Sequence, residues 1–300
     1  MVSSAPLSAY MPRVAAVFIS YNCSEELPRN IEVLSPQVGW TFVIDNGSLP
    51  GSAGTLQRVK VMSRVTLICL PANVGIAAAL NMAMREIDAA GYTWAVTMDQ
   101  DSMPDASLVA DLLTAAKAAD QPVAVVAPLI FGAKDNSLIQ GWLPAAINEK
   151  INITHQTVVC MTSGSLTNVE VWKIVNGFDE SLFIDYVDNE YCIRCSQNGF
   201  YTWQSFAARI YHHLGSRRFH RIFRWRFSAT HHSAWRRYFI TRNRLYVSIK
   251  FWRSQRSYVL NDLKNMVVEL IKIVLVEDQK LAKILSIVRG LKDGIVKSTC

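Results

Sequence analysis

Nowhere in this chain of 300 residues does an apolar run reach the ~20 consecutive residues that a membrane-crossing helix needs. The N-terminus has no cationic segment ahead of an apolar stretch, and residues 14–19 are too few for a secretory signal. Cysteines are scarce and scattered. Cys23, Cys69, Cys160, Cys192, Cys195 and Cys300 lack the dense, even spacing of a disulfide scaffold, so a reducing cytoplasm is expected. Cys192-x-x-Cys195 has no second pair with which to build a metal site, and its surroundings read as helix. Gly-x-Gly-x-x-Gly and Gly-x-x-x-x-Gly-Lys-Ser/Thr are both missing, which excludes the usual dinucleotide fingerprint and the P-loop. Ser20-Tyr21-Asn22-Cys23-Ser24 is not the glycine-rich basic loop of a nucleotidyltransferase. No internal repeat and no low-complexity segment is present.

Acidic residues are missing from one long block. Residues 209–256 hold twelve Arg and one Lys without an Asp or Glu, so the net charge of +7 is concentrated there. Aromatics such as Phe219, Phe223, Trp235 and Tyr246 interleave the cations. This block suits an anionic membrane surface or a diphosphate. Nucleic acid is not an expected partner, because the aromatics also fit helical core positions and no nucleic-acid module is visible.

Half of the residues are hydrophobic, enough for one large α/β domain with a helical appendage. Short β-branched runs alternate with helical stretches, the order expected of a mainly parallel, doubly wound sheet. Strands are expected at residues 14–19, 42–44, 65–70, 94–98 and 123–126, with strand character returning at 157–162. Residues 131–156 are less regular and are expected to form a covering segment. From about residue 228 the pattern turns helical. Leu260, Leu263, Val267, Leu270 and Val274, then Leu281, Ile284, Leu285, Val288 and Leu291, recur at helical spacing and read as core between packed helices. The expected organisation is an α/β domain over 1–227 and a C-terminal helical region over 228–300, able to associate with a membrane.

Polar residues follow several expected strands directly: Ser20-Tyr21-Asn22, Asp45-Asn46-Gly47-Ser48, Asn73-Val74-Gly75 and Asp99-Gln100-Asp101. In a doubly wound sheet such positions gather along the carboxyl edge, where ligands bind. Asp-x-Asp at a strand end offers hard oxygen ligands to a divalent cation, which could neutralise phosphates departing from a sugar. Nearly ninety positions on, Asp188 offers a carboxylate to take the proton of an attacking hydroxyl. Glu190, two residues later at a helix start, is the rival base. Singly, each fragment is bland. Asp-x-Asp often caps a turn, Asp45-Asn46-Gly47 is a turn signal, and His212-His213 reads as surface. Their order and spacing on strand ends point to sugar transfer.

That order runs Ile19-Ser20-Tyr21-Asn22, Ile44-Asp45-Asn46-Gly47-Ser48, Asn73-Val74-Gly75 with Asn81, and Met98-Asp99-Gln100-Asp101-Ser102. It continues through Gly164, Gly177-Phe178-Asp179-Glu180, Phe183-Ile184-Asp185-Tyr186-Val187-Asp188-Asn189-Glu190, His212-His213-Leu214-Gly215, and Arg237 to Asn243. It resembles the inverting family 2 glycosyltransferases, and more closely their bacterial rhamnosyltransferase branch. Ser20 stands where that family has Thr, and Val187 where most relatives place Glu. The resemblance implies a GT-A type fold, with Mg²⁺ or Mn²⁺ held by Asp99, Asp101 and His212. It implies a nucleotide sugar bound by Ser20, Tyr21, Asn22, Asp45, Asn73, Gly75, Asn81, Asp99, Gln100 and Gly164, with Arg217 and Arg218 near the phosphates. Asp45 would meet the pyrimidine imide, and Asp188 would be the base. The implied donor is dTDP-β-L-rhamnose, giving an α-L-rhamnoside by single displacement. The implied acceptor is a saccharide on polyprenyl diphosphate, in O-antigen biosynthesis at the inner face of a bacterial cell membrane. The alternatives are another UDP- or dTDP-sugar donor, or a non-catalytic nucleotide-sugar-binding subunit of a polysaccharide assembly complex.

Overall fold

The first apolar run becomes a central strand because both of its faces are covered, as the near-continuous burial from Val14 to Phe18 requires. Ala15 and Val17 face one helix layer with Leu80 and Met84, while Ala16 and Phe18 face the other with Leu27, Ile31 and Leu112. The computed structural model describes residues 13–133, 136–140, 153–212, 218–223 and 225–299. Its strands are β1 (Val14–Ser20), β2 (Trp40–Asp45), β3 (Val65–Cys69), β4 (Trp94–Asp99), β5 (Ser102–Pro104), β6 (Val123–Gly132), β7 (Leu138–Gln140), β8 (Thr154–Thr157), β9 (Ser165–Asn168), β10 (Tyr201–His212), β11 (Arg218–Ile222) and β12 (Trp225–Ala229). Its helices are α1 (Glu26–Leu34), α2 (Ala53–Lys60), α3 (Ile76–Ala89), α4 (Leu108–Ala118), α5 (Val169–Ile174), α6 (Val187–Gln197), α7 (Ala234–Phe251), α8 (Arg256–Val276) and α9 (Lys280–Thr299).

The main sheet runs β3-β2-β1-β4-β9-β6-β10-β5, with β7 on β6 and β8 on β10, while β11 and β12 form a separate hairpin. It is parallel from β3 to β4, as the alternating pattern of the first hundred residues implies, and mixed beyond. The antiparallel strand β9 enters between β4 and β6, and β6 then pairs parallel with β10. Register sets the site. Ser20 lies opposite Asp45, and Ile19 opposite Asp99, so three strands end at one level. At the far edge His212, the last residue of β10, lies opposite Ser102 of β5.

Two sequence expectations need correction. Residues 157–162 are not a strand: β8 ends at Thr157 and β9 starts at Ser165. Between them the backbone turns through Gly164, with φ +76°, where a Cβ would come within 2.7 Å of Ile210. Residues 134–135 and 141–152, about half of the expected covering segment, lie outside the described residues. The aliphatic stripes after residue 256 are the second correction. Leu260 (57% exposed), Val267 (54%), Leu281 (71%) and Leu285 (60%) face outward instead of forming a core between helices. The reason is what these helices present to α7. On α9, Gly290 and Gly294 approach α7 so closely that an added Cβ would lie 2.7 Å from Tyr238 O and 2.8 Å from Arg242 O. On α8, Asp262 and Glu269 pair with Arg237 and Arg244 of α7.

Candidate active site

At the ends of β1 and β2, the Asp45 carboxylate is buried and accepts from Ser20 Oγ and Ser48 N–H, each at 3.2 Å, and from Ser48 Oγ. A carboxylate has about four acceptor positions, so one is left. Asn22 is tied into the same corner, its N–H donating to Ser48 Oγ at 2.7 Å and its Oδ1 accepting from Leu49 N–H at 2.9 Å. The Tyr21 side chain is exposed. Gln100 differs from expectation: its amide clasps the Tyr21 backbone, donating to the carbonyl at 3.1 Å and accepting from the N–H at 3.0 Å. It is thus a tie between β1 and β4.

Asn73 Oδ1 accepts from Gly75 N–H at 2.9 Å and from Asn46 Nδ2 at 3.1 Å, while Asn46 Oδ1 takes Val74 N–H at 2.9 Å. Asn46, buried behind this turn, therefore shapes it. Gly75 (φ +87°) leaves room for Phe183, which would otherwise lie 2.7 Å from a Cβ, and Ile76 N–H donates to Phe183 O at 2.7 Å. Asn81 does not face this edge. Its Nδ2 donates to Phe178 O and Glu180 Oε1, both at 2.9 Å, and its Oδ1 accepts from Trp172 Nε1 at 3.0 Å and Phe178 N–H at 2.8 Å. All of its polar capacity fixes the 172–180 segment, which argues against the expected ligand contact.

Asp99, Asp101 and His212 each offer one ligand atom, all within 4.8 Å of one another, and among the described residues they are the one such trio. Asp101 Oδ1 is 3.7 Å from His212 Nδ1. Burial, and then the neighbouring Asp101 charge, push the Asp99 carboxyl up to about 6. Two carboxylates and an imidazole form a donor set suited to Mg²⁺ or Mn²⁺, and a cation among them would relieve that repulsion. A hydrogen-bond chain supports the trio from behind. Asp99 N–H donates to Ser163 Oγ at 3.1 Å, Ser163 Oγ to Ser102 Oγ at 2.8 Å, and Ser102 Oγ lies 2.8 Å from His212 Nδ1. Ser163 gave no signal in the sequence, because it reaches the site only through the turn at Gly164.

A cleft of about 650 Å³ opens beside Asp99, bounded by Asp185, Asp188, His232, Arg236 and the inner side of α8. Burial pushes the Asp188 carboxyl up to about 6, with the Asp185 and Asp99 charges adding to it and the Asn189 N–H opposing. Glu190 faces elsewhere. It is fully buried, bonded to Arg194 at 2.7 and 2.8 Å and to Lys250 at 2.7 Å, beside a second cavity. Engaged by Arg194 and Lys250 and away from the cleft that holds Asp99 and Asp188, Glu190 leaves the rival reading without geometric support.

The loop before Asp188 is unusual: Phe183, Asp185 and Tyr186 all have positive φ, between 62° and 66°. Non-glycine residues persist there only when neighbours hold them. Asn243 does so, its Nδ2 lying 2.8 Å from the carbonyls of Leu182 and Ile184 and 3.0 Å from that of Asp185. Arg242 donates to the carbonyls of Ser181 and Leu182 at 2.9 and 3.0 Å. Arg236 holds Asp185 through two bonds of 2.9 and 3.1 Å. Arg242 and Asn243 thus have a definite place, and His232 and Arg236 are site residues that sequence reasoning missed. Burial, then the charges of Arg236 and Arg237, lower the His232 imidazole to about 4, so it is neutral at pH 7. Arg217 lies outside the described residues. Arg218 is away from the cleft, 3.8 Å from Asp278.

A family model described as "Glycosyl transferase family 2" matches residues 16–174. A dTDP-rhamnosyl transferase, RfbF, from Shigella flexneri is 31% identical over 195 residues, a match covering 62% of this chain and 64% of that protein. GalNAc-T7, solved with UDP, GalNAc and Mn²⁺, superposes with a TM-score of 0.62 at 14% identity, over 84% of this chain and 50% of that one. The mannosyltransferase PcManGT from Pyrobaculum calidifontis, solved with GDP-Man and Mn²⁺, gives 0.56 at 14% identity, over 98% and 89%. Likeness at these identities bears on the fold, which is of the GT-A type expected.

Proposed function

Since the chain belongs to glycosyl transferase family 2, we propose that it transfers L-rhamnose from dTDP-β-L-rhamnose to a saccharide acceptor with inversion. The observation that carries the reading is the cleft in which Asp188 faces Asp99. In this reading the exposed Tyr21 ring stacks on the pyrimidine, and the last acceptor position of Asp45 takes its imide N–H. Ser20, Asn22, Asn73 and Gly75 shape the nucleotide side, with Asp99 toward the ribose or the metal. Asp99, Asp101 and His212 would hold Mg²⁺ or Mn²⁺, which would supply positive charge where negative charge grows on the departing diphosphate. Arg236, bordering the same cleft, adds a fixed cation there, while Arg218 lies toward Asp278. Asp188 takes the proton of the acceptor hydroxyl, and a carboxyl held near 6 is ionised at pH 7 yet more basic than an ordinary one.

The donor sugar is supported by the 31% identity to a dTDP-rhamnosyl transferase. The acceptor we propose is carried on polyprenyl diphosphate in O-antigen or a related surface polysaccharide, with residues 228–300 forming the acceptor side at the cytoplasmic face of the membrane. No helix among the described residues is long and apolar enough to cross it. Turnover of a panel of dTDP-, UDP- and GDP-sugars, followed by nucleotide release, tests the donor. Preference for dTDP-rhamnose is expected, and preference for a UDP-sugar would favour the other donor reading. A non-catalytic subunit is disfavoured by the joint presence of Asp99, Asp101, His212 and Asp188 around one crevice.

A further inference from the structure

Helix α8 is amphipathic in the unusual sense. Its polar side chains Asp262, Asn265, Glu269 and Lys272 line the cleft, while Leu260, Val267, Ile271, Val274 and Leu275 are exposed on the opposite side. At 100° per residue these five, with exposed Lys264, fall on one face. Helix α9 repeats the arrangement. Its glycines meet α7, and Leu281, Leu285, Val288 and Ile295 are exposed, with Lys292 among them. A soluble face built this way would leave a large apolar surface in water, which marks an interaction site.

Charge identifies the occupant. The three acids of the two helices point to partners: Asp262 to Tyr186 and Arg244, Glu269 to Arg237 and Arg244, and Asp293 to Tyr238. Lys264, Lys280 and Lys292 remain exposed. The outer face is therefore aliphatic with lysines set into it. Cores of protein interfaces favour aromatics, Met and Arg and are depleted in Lys, whereas an interfacial membrane helix combines aliphatics with Lys. A second copy meeting this face across a two-fold axis would also set like-charged lysines against one another.

We propose that the outward faces of α8 and α9 dock on an anionic phospholipid surface. The docking element is thus the aliphatic face of two helices and not the basic block of residues 209–256. The best-buried cations of that block already pair with Asp185, Glu190, Asp262, Glu269 and Glu277. The proposal rests on and deepens the reading of a lipid-linked acceptor, because docking through α8 holds the cleft, on the inner side of that helix, about one helix diameter (~10 Å) from the bilayer.

Sedimentation of the full chain with vesicles of phosphatidylcholine alone, or with about a third phosphatidylglycerol, tests it. Binding to the anionic vesicles is expected, weakened by salt but not abolished. The double substitution Ile271→Glu with Leu275→Glu should lower the bound fraction by on the order of tenfold, with dTDP binding unchanged as the check on folding. Equal binding by variant and parent, or no preference for anionic vesicles, would overturn the proposal. So would a dimer in solution that the double substitution dissociates, which would assign the face to a second copy. Because sedimentation needs neither donor nor acceptor, its outcome is separable from failure of the transfer assay.

Discussion

Asp188 and Glu190, two residues apart on the first turn of α6, face different surroundings: Asp188 borders the cleft with Asp99, and Glu190 is enclosed by Arg194 and Lys250. A helix rotates by about 100° per residue, so neighbours at this spacing point nearly opposite ways. One turn thereby separates a carboxylate placed for chemistry from one placed for structure.

Asp188→Asn should leave dTDP affinity intact and lower kcat by at least ~10²-fold. In the parent enzyme, kcat/KM should fall as pH drops through about 6. Stability should move the other way. A carboxyl whose folded pKa is raised above its unfolded value of about 4 destabilises the fold above pH 6, and that penalty disappears as pH falls below 4. The Asn variant should accordingly melt higher than the parent at pH 8, with the gap closing toward pH 4. Thermal scans across pH check this, and a lower melting temperature at pH 8 would contradict the burial argument.

Glu190→Gln should do the reverse. Weakening the buried pairs with Arg194 and Lys250 should lower unfolding free energy by on the order of 3 kcal/mol. Turnover per folded molecule should change less than tenfold. Urea titration read beside single-turnover kinetics separates the effects, and a stable but inactive variant would return Glu190 to the role of base.

For the trio, Mn²⁺ or Mg²⁺ should raise dTDP affinity in the parent, and Asp101→Ala should abolish that gain. Calorimetry with and without the cation reads this directly. An undiminished metal effect would place the cation elsewhere.

Asn243→Ala removes the donor that holds three carbonyls of a strained loop, leaving buried acceptors unpaired at a cost of about 1–3 kcal/mol. Because the loop presents Asp188, kcat should fall by about tenfold or more while dTDP affinity stays the same. Loss of nucleotide binding in proportion to kcat would mean a general unfolding.

The strand ends were legible because each is local: an apolar run closes on a polar dipeptide, and parallel pairing then puts Ser20, Asp45 and Asp99 at one level. What stayed hidden depends on partners far along the chain. Asn81 reads as a ligand contact until Phe178 and Trp172 occupy its amide, and Gln100 until Tyr21 does. The aliphatic periodicity of α8 and α9 was plain, but periodicity does not say which face turns inward. That was decided by Arg237, Arg244 and the close approach at Gly290.

The most direct test of the account is to incubate the chain with dTDP-β-L-rhamnose, Mn²⁺ or Mg²⁺ and a lipid-linked saccharide, and to read the anomeric configuration of the new linkage by NMR. An α-L-rhamnoside is predicted, formed by the parent and not by Asp188→Asn. A β-linked product, or transfer undiminished in that variant, would contradict single displacement with Asp188 as the base.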